Sequence, residues 1–288
     1  MLSNKSIQEI TVLNLGHKTS TGFPVEELQD GRLSALSIGF MTLPDLDLSC
    51  FNYSALQVLC LFSCTFEGLK LGWIITDCVS LRELRVGFPT ENLKINSKSL
   101  EMVVVWGTKA SWLVIEYAPK LDVLMTSIFP REGDARVKPK RSHPTVSISI
   151  NNADSLREVN YLLLQYHIIT VNSVPISKKY VPWNSVKNLK LGLNVSSAAQ
   201  RDSLRKILDS VPMLLELCIR RMDDIGRDEG FDMIIDCPFE DLNHVTCVTT
   251  CLSRFSVEEF RGGAAELHMI KCVLRHAPHL LELCTTHC

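Results

Sequence analysis

One spacing recurs along this chain: an apolar residue, two spacers, a second apolar residue, one spacer and usually a third. It occurs at Leu56/Leu59/Leu61, Leu81/Leu84/Val86, Leu100/Val103/Val105, Leu121/Leu124/Thr126, Leu156/Val159/Tyr161, Val186/Leu189/Leu191, Leu214/Leu217/Ile219 and Leu280/Leu283/Thr285. The final two positions are two residues apart, so in an extended strand both side chains point to the same face. First positions from 56 to 214 step by 25, 19, 21, 35, 30 and 28 residues. A strand with so short a companion segment cannot cover its own apolar side, whereas neighbours laid side by side share one core. The recurrence therefore predicts an array of parallel strands. The rival is a doubly wound sheet, which also alternates strands and helices but does not require the same leucine spacing at every strand.

This is the strand portion of a leucine-rich repeat. The fold class expected is α/β: a leucine-rich-repeat solenoid, with a curved parallel sheet on the inner side and helices on the outer side. The long steps imply helices in many linkers. Two show a helical period, Leu204, Ile207, Leu208 and Val211 in one and Leu267, Ile270 and Leu274 in the other, and each is expected to turn that stripe inward. Asp202 and Ser203 offer polar groups near the start of the first helix. Pro212 and Pro278 stop the helices, because proline cannot continue one and pushes its predecessor toward extended backbone. Ala118-Pro119-Lys120-Leu121, Val211-Pro212-Met213-Leu214 and Ala277-Pro278-His279-Leu280 repeat the same step.

Composition narrows the functional classes. A 46% hydrophobic share with 22% charged residues supports a folded core. Thirty basic against thirty-two acidic residues leave a net charge of -2, without the excess that phosphate binding requires, so no nucleic-acid partner is expected. The N-terminus lacks the apolar core of a signal peptide, and no run approaches the roughly 18 apolar residues of a membrane span. A monomer in the cytoplasm and/or nucleus, without a membrane partner, is expected. The eleven cysteines then read as free thiols. Cys60/Cys64, Cys247/Cys251 and Cys284/Cys288 lack the tight knuckle of a zinc site, and no metal or cofactor is expected. No nucleophile elbow, HExxH motif or Walker loop appears, so neither catalytic residues nor an enzyme activity are expected.

In the strand motif, the residue between the last two apolar positions points away from the core, onto the inner wall. That row reads Cys60, Arg85, Val104, Met125, Asn160, Lys190, Cys218 and Cys284. With no acid and two bases it suits neither acid–base chemistry nor a phosphate. It suits a target protein, and Arg85, Met125, Asn160, Lys190 and Cys218 are the expected partner-binding residues. Cys60 and Cys218 stand too many strands apart to share a metal. The charge-rich stretch 131–144, with its basic run 138–141, and the mixed-charge stretch 220–229 read as solvated connections. Trp106, Trp112 and Trp183 read as core anchors.

The C-terminal stretch adds a resemblance. Val257-Glu258-Glu259-Phe260-Arg261-Gly262-Gly263, then Glu266-Leu267 and Leu274-Arg275-His276-Ala277-Pro278-His279-Leu280, together with the irregular repeats, resembles the FBD domain of plant F-box/leucine-rich-repeat proteins. The resemblance covers most of the chain and implies a repeat solenoid over 1–237, continued and capped by an FBD-like strand-helix-strand unit over 238–288. It places the FRGG turn between a strand, which looks shortened here, and the terminal helix. Such proteins normally begin with an F-box, a helical segment that docks on a Skp-type adaptor of a cullin-based ubiquitin ligase. This chain starts in repeat-like sequence at Ile7/Ile10/Val12, and Leu43-Pro44-Asp45 is followed by strand-like alternation rather than by a helix. The function implied is target recognition for such a ligase by a subunit without its own F-box, binding the adaptor only where an F-box is supplied. A regulatory decoy or scaffold competing with full-length relatives is the alternative, and a small-molecule-binding or enzymatic doubly wound protein is a more distant one.

Overall fold

A computed structural model describes residues 7–15, 32–43, 53–66, 70–89, 92–107, 112–127, 146–164, 166–176, 183–222 and 240–287. The stretch 131–144, most of 220–229 and the expected boundary at 237/238 lie outside the described residues, as do Pro44 and Asp45. The chain divides into two compact units, Met1–Leu156 and Arg157–Cys288.

The first unit contains β1 (Glu9–Leu13), β2 (Ala35–Gly39), β3 (Thr42–Leu43), β4 (Val58–Phe62), β5 (Thr65–Phe66), helix α1 (Lys70–Asp77), β6 (Glu83–Gly87), β7 (Leu93–Asn96), β8 (Met102–Trp106), β9 (Trp112–Tyr117), β10 (Val123–Ser127) and β11 (Val146–Ile150). Its main sheet is ordered β1-β2-β4-β6-β8-β10, every pair parallel. The order never reverses, whereas a doubly wound sheet turns back at a switch point. Register stacks the repeated positions: Leu36, Leu59, Leu84, Val103 and Leu124 form one row, and Ile38, Leu61, Val86, Val105 and Thr126 the next. All are buried. Each apolar side chain so covered contributes about 1.5–3 kcal/mol relative to exposure. Thr126 breaks the second row with a buried hydroxyl that has no partner.

A short turn sets up the strands. The N–H of Leu81 donates to the Cys78 carbonyl (3.1 Å) and that of Leu121 to Ala118 (3.0 Å). The second unit repeats the step at Leu214 to Val211 (3.2 Å) and Leu280 to Ala277 (3.2 Å). Pro119, Pro212 and Pro278 each occupy the second position of such a turn, where a fixed φ is favourable. The recurring proline therefore shapes the entry to a strand as well as ending what precedes it.

The linkers of this unit depart from expectation. Where helices are expected after β6, β8 and β10, the chain forms β7, β9 and β11, a second parallel sheet in which Leu93, Leu113 and Ile148 align, as do Ile95, Ile115 and Ile150. LKIN, WLVIEY and VSISI bury alternate residues, and β-branched side chains suit a pleated, half-buried surface. Among the described residues α1 is the helix of this unit, and the Thr76 hydroxyl donates to the Asn96 carbonyl of β7 (3.2 Å).

The second unit contains β12 (Glu158–Leu163), β13 (His167–Val171), β14 (Val174–Pro175), β15 (Asn188–Leu193), α2 (Ala198–Ser210), β16 (Glu216–Arg221), α3 (Thr246–Thr250), β17 (Arg254–Glu258), α4 (Ala264–His276) and β18 (Glu282–Thr286). Its main sheet is ordered β12-β15-β16-β17-β18, again parallel. Here the linkers before β16, β17 and β18 carry helices as expected, whereas the one between β12 and β15 carries β13 and β14. β13 and β14 form a hairpin whose turn residues Asn172 and Ser173 both have positive φ, the conformation a tight hairpin needs. α2 begins at Ala198, earlier than its polar residues suggest, and Asp202 lies inside it, paired with Lys206 at 2.7 Å. α2 and α4 both end just before their Xaa-Pro step.

Two expectations are corrected in this unit, while β17, the strand before FRGG, has five residues, one fewer than β16 and as many as β18. Tyr161 does not take the third core position: a bulge between Val159 and Leu162 turns it out and Leu162 pairs with Leu191 instead. On α4 the buried face is Met269, Ile270, Cys272 and Val273, while Leu267 and Leu274 are exposed, because the helix is rotated from the stripe its leucines suggest. β18 continues the stack, and its Leu283 is 39% exposed although it pairs in register with the fully buried Phe255.

The FRGG turn closes on its own helix. Gly262 has φ +76, and the buried Glu266 accepts the N–H groups of Gly263 (2.8 Å) and Arg261 (3.2 Å), a capping arrangement that uses donors the helix start leaves free.

Candidate partner-binding face

Within each unit the main-sheet residues between the core rows face solvent, and register fixes which of them are neighbours. In the first unit Ser37, Cys60, Arg85, Val104 and Met125 form one row. Arg85 and Met125 therefore sit two strands apart, about 10 Å, with Val104 between them. Arg85 pairs with Glu83 on its own strand. These are the charged residues of this face from β2 to β10; the rest of its described positions are small or apolar.

In the second unit Lys190, Cys218, Ser256 and Cys284 form the corresponding row. Lys190 and Cys218 are direct neighbours, about 4.8 Å apart. Asn160 precedes the bulge, and its amide donates to Glu158 of its own strand (2.5 Å). Tyr161, with φ +62, is an uncommon conformation for a bulky residue. The bulge sets its ring under Lys190, whose Nζ lies 4.2 Å from the ring centre and donates to the Tyr161 hydroxyl at 3.0 Å. The same Nζ pairs with Glu258. Burial pulls the Lys190 ammonium down, but its hydrogen bonds to Glu258 and Tyr161 outweigh this and hold it above its usual value.

Ion pairs fill the rest of this face. Arg220 binds Glu259 at 2.6 Å, and Arg254 bridges Glu216 (2.8 Å) and Glu282 (2.7 Å) on its two neighbouring strands. Each of these cations is paired, but Glu158, Glu216, Glu258, Glu259 and Glu282 outnumber Lys190, Arg220 and Arg254, so the described face carries a modest negative excess. Burial pushes the Cys60 and Cys218 thiols up, and a hydrogen bond to Glu282 does the same for Cys284. A thiol held neutral is a poor nucleophile and a poor metal ligand. Among the described residues no group of three or more His, Cys, Asp or Glu is arranged to hold a metal ion, and no helix is long and apolar enough to cross a membrane.

The expected site residues thus fall into two sets, Arg85 and Met125 in one unit, and Asn160, Lys190 and Cys218 in the other. Ser37 and Ser256 belong to the same rows and escape a reading that does not recognise β2 and β17 as repeats. The larger omission is aromatic. Trp106 is not fully buried but ends β8 half-buried on the open face, and Trp112 is likewise half-buried at the start of β9, whereas Trp183 is buried. The residue after the third apolar position reads Gly39, Phe62, Gly87 and Trp106 on successive strands. That alternation is visible in the sequence once the copies are aligned.

Residues 1–219 match the family described as FBD-associated F-box protein At5g56370, LRR repeats. No curated protein and no solved structure matches the chain. The match spans the repeats of the first unit and those of the second into β16, a stretch over which leucine rows, parallel register and turn geometry recur. The chain belongs to the leucine-rich-repeat family of the FBD-associated F-box protein At5g56370.

Proposed function

We propose that this protein is a target-recognition module for an F-box-type ubiquitin ligase, gripping a target protein on the open face of its parallel sheets. The observation that carries the reading is the register of the main sheets: side chains at equivalent repeat positions stand in rows about 4.8 Å apart, facing solvent. Such a surface suits binding by shape and composition. The ligase then acts by proximity, holding the target where ubiquitin transfer occurs. A Skp-type adaptor joins only through an F-box supplied with this module. Residues 238–288 serve as the FBD-like continuation of the solenoid.

Two measurements test this. A pull-down of purified Skp-type adaptor with this chain alone is expected to fail, and with an F-box fused ahead of residue 1 it is expected to succeed; binding by the chain alone contradicts the proposal. Expressing the fusion is expected to shorten the half-life of a bound target, and a lengthened half-life contradicts the ligase role.

A further inference from the structure

All four strand ends from β2 to β8 place an aromatic ring on or beside the open face. Phe62 ends β4 and Trp106 ends β8, while Phe40 and Phe88 are the first residues beyond β2 and β6. Phe62 is the hub: its ring centre is 4.9 Å from Phe40, 5.4 Å from Phe88 and 6.1 Å from Trp106. The first two contacts are edge-to-face, a favourable arrangement of ring quadrupoles.

Backbone geometry holds these rings in place. Phe40 and Phe88 have φ +58 and +51, and their N–H groups donate to the Phe62 and Trp106 carbonyls of the next strands, each at 2.8 Å. A Cβ on Gly87 would lie 2.6 Å from the Trp106 ring and 2.7 Å from Phe62, and one on Gly107 would lie 2.4 Å from the Phe88 ring. The glycines are where the rings lie down. Yet Phe40 is 43% and Phe88 45% exposed, so well-ordered aromatic surface faces water at a site where every ring is already positioned. Pre-ordered aromatic surface loses little entropy on binding and is the usual source of interface hot spots.

We infer that this aromatic cluster is the anchor point for the target, and that it receives an uncharged segment of the target protein bearing aromatic or aliphatic side chains. The choice of occupant follows from charge. From β2 to β10 the charges on the open face are Glu83 and Arg85, which neutralise each other, so a charged segment meets no counter-charge here and loses its hydration. A nucleic-acid strand would also stack on rings, but it needs basic residues beside them. The inference rests on the target-binding reading above.

The test selects binders to the full chain from a displayed library of random peptides. Affinity is then measured for the unaltered protein, Phe40→Asn, Phe88→Asn, Lys190→Ala and Arg254→Ala. Asparagine tolerates the left-handed backbone at positions 40 and 88, and circular dichroism melts confirm that each variant folds. Enriched peptides are expected to be uncharged and to carry apolar anchors. They should weaken by about tenfold or more on Phe88→Asn, be unaffected by Lys190→Ala, and alter fluorescence in a way that Trp106→Phe abolishes. Peptides that survive both phenylalanine changes but are lost with Lys190→Ala or Arg254→Ala overturn this inference and leave target binding intact, moved to the second unit. Binders that survive all four substitutions, or no enrichment at all, overturn both. Binding of an oligouridine strand that Phe88→Asn abolishes overturns the choice of a protein segment.

Discussion

Leu59, Leu84, Val103 and Leu124 stand in one buried row of the first unit, and Val159, Leu189, Leu217 and Phe255 stand in the equivalent row of the second. Beyond that row the two units differ. The first returns between main-sheet strands through a second sheet, β7-β9-β11, and the described strand positions of its open face carry glycines, aromatic rings and the Glu83–Arg85 pair. The second returns mostly through helices and covers its open face with cross-strand pairs such as Arg254 with Glu216 and Glu282. The leucine spacing therefore dictates that strands stack, and leaves both the return path and the chemistry of the open face free to vary. Units built in this way can keep the same kind of buried row while one presents apolar rings and the other paired charge.

The largest effect should be shared by both units. Leu84→Ala and Leu217→Ala each remove a buried side chain and should cost about 2–5 kcal/mol in a denaturant titration. A unit that tolerates its substitution at little cost does not depend on the shared row, and the likeness between the units fails there.

Acid should separate the units. His167, buried in the second, accepts the Leu163 N–H at Nδ1 (3.0 Å), and its other ring nitrogen has no partner. Burial lowers its pKa from 6.5 to about 4. The unfolded chain therefore takes up a proton at higher pH than the folded one, so the stability cost is absent above about pH 6.5 and grows as pH falls toward 4. It should reach about 3 kcal/mol. His167→Asn, which keeps an acceptor but does not titrate, should flatten that slope in denaturation curves taken across the window. An unchanged slope would assign the acid sensitivity elsewhere.

Gly87→Ala adds one methyl group beneath the Trp106 and Phe62 rings and should destabilise by about 1–3 kcal/mol while shifting the fluorescence of the folded protein. Smaller still, Lys190→Ala removes a cation over Tyr161 and its hydrogen bond and should cost about 1 kcal/mol, read from the same titration. If Lys190→Ala proves the costlier of the two, the second unit's polar cluster, not the first unit's aromatic one, is the better-ordered surface.

The spine was legible because stacking leaves little choice: a residue at the first, fourth or sixth position of each copy must be apolar if neighbours are to share a core. Thr126 and the exposed Leu283 mark where that rule relaxes, in a buried polar break and at the final strand. Return paths were less legible, since short linkers accommodate a helix or a strand and only the alternation in LKIN, WLVIEY and VSISI separates them. The Tyr161 bulge was hidden for a different reason. Tyrosine fits the third repeat position by hydrophobicity, and nothing local distinguishes it from Leu162, which takes the core place. On the open face Arg85 and Lys190 were placed by spacing alone; Glu83, two residues before Arg85 on the same strand, follows from the strand period, but Glu258 as the partner of Lys190 requires knowing the strand order.

Hydrogen exchange of the full chain, alone and saturated with a peptide selected on it, is the most direct test of the claim that stacked leucine coils present a gripping wall. The slowest amides should belong to the main-sheet strands that carry the leucine rows, and added protection should centre on the strand ends at Phe62, Phe88 and Trp106. Protection confined to α2 or α4 with β4, β6 and β8 unchanged, or leucine-bearing strands that exchange as fast as the connecting turns, would contradict it.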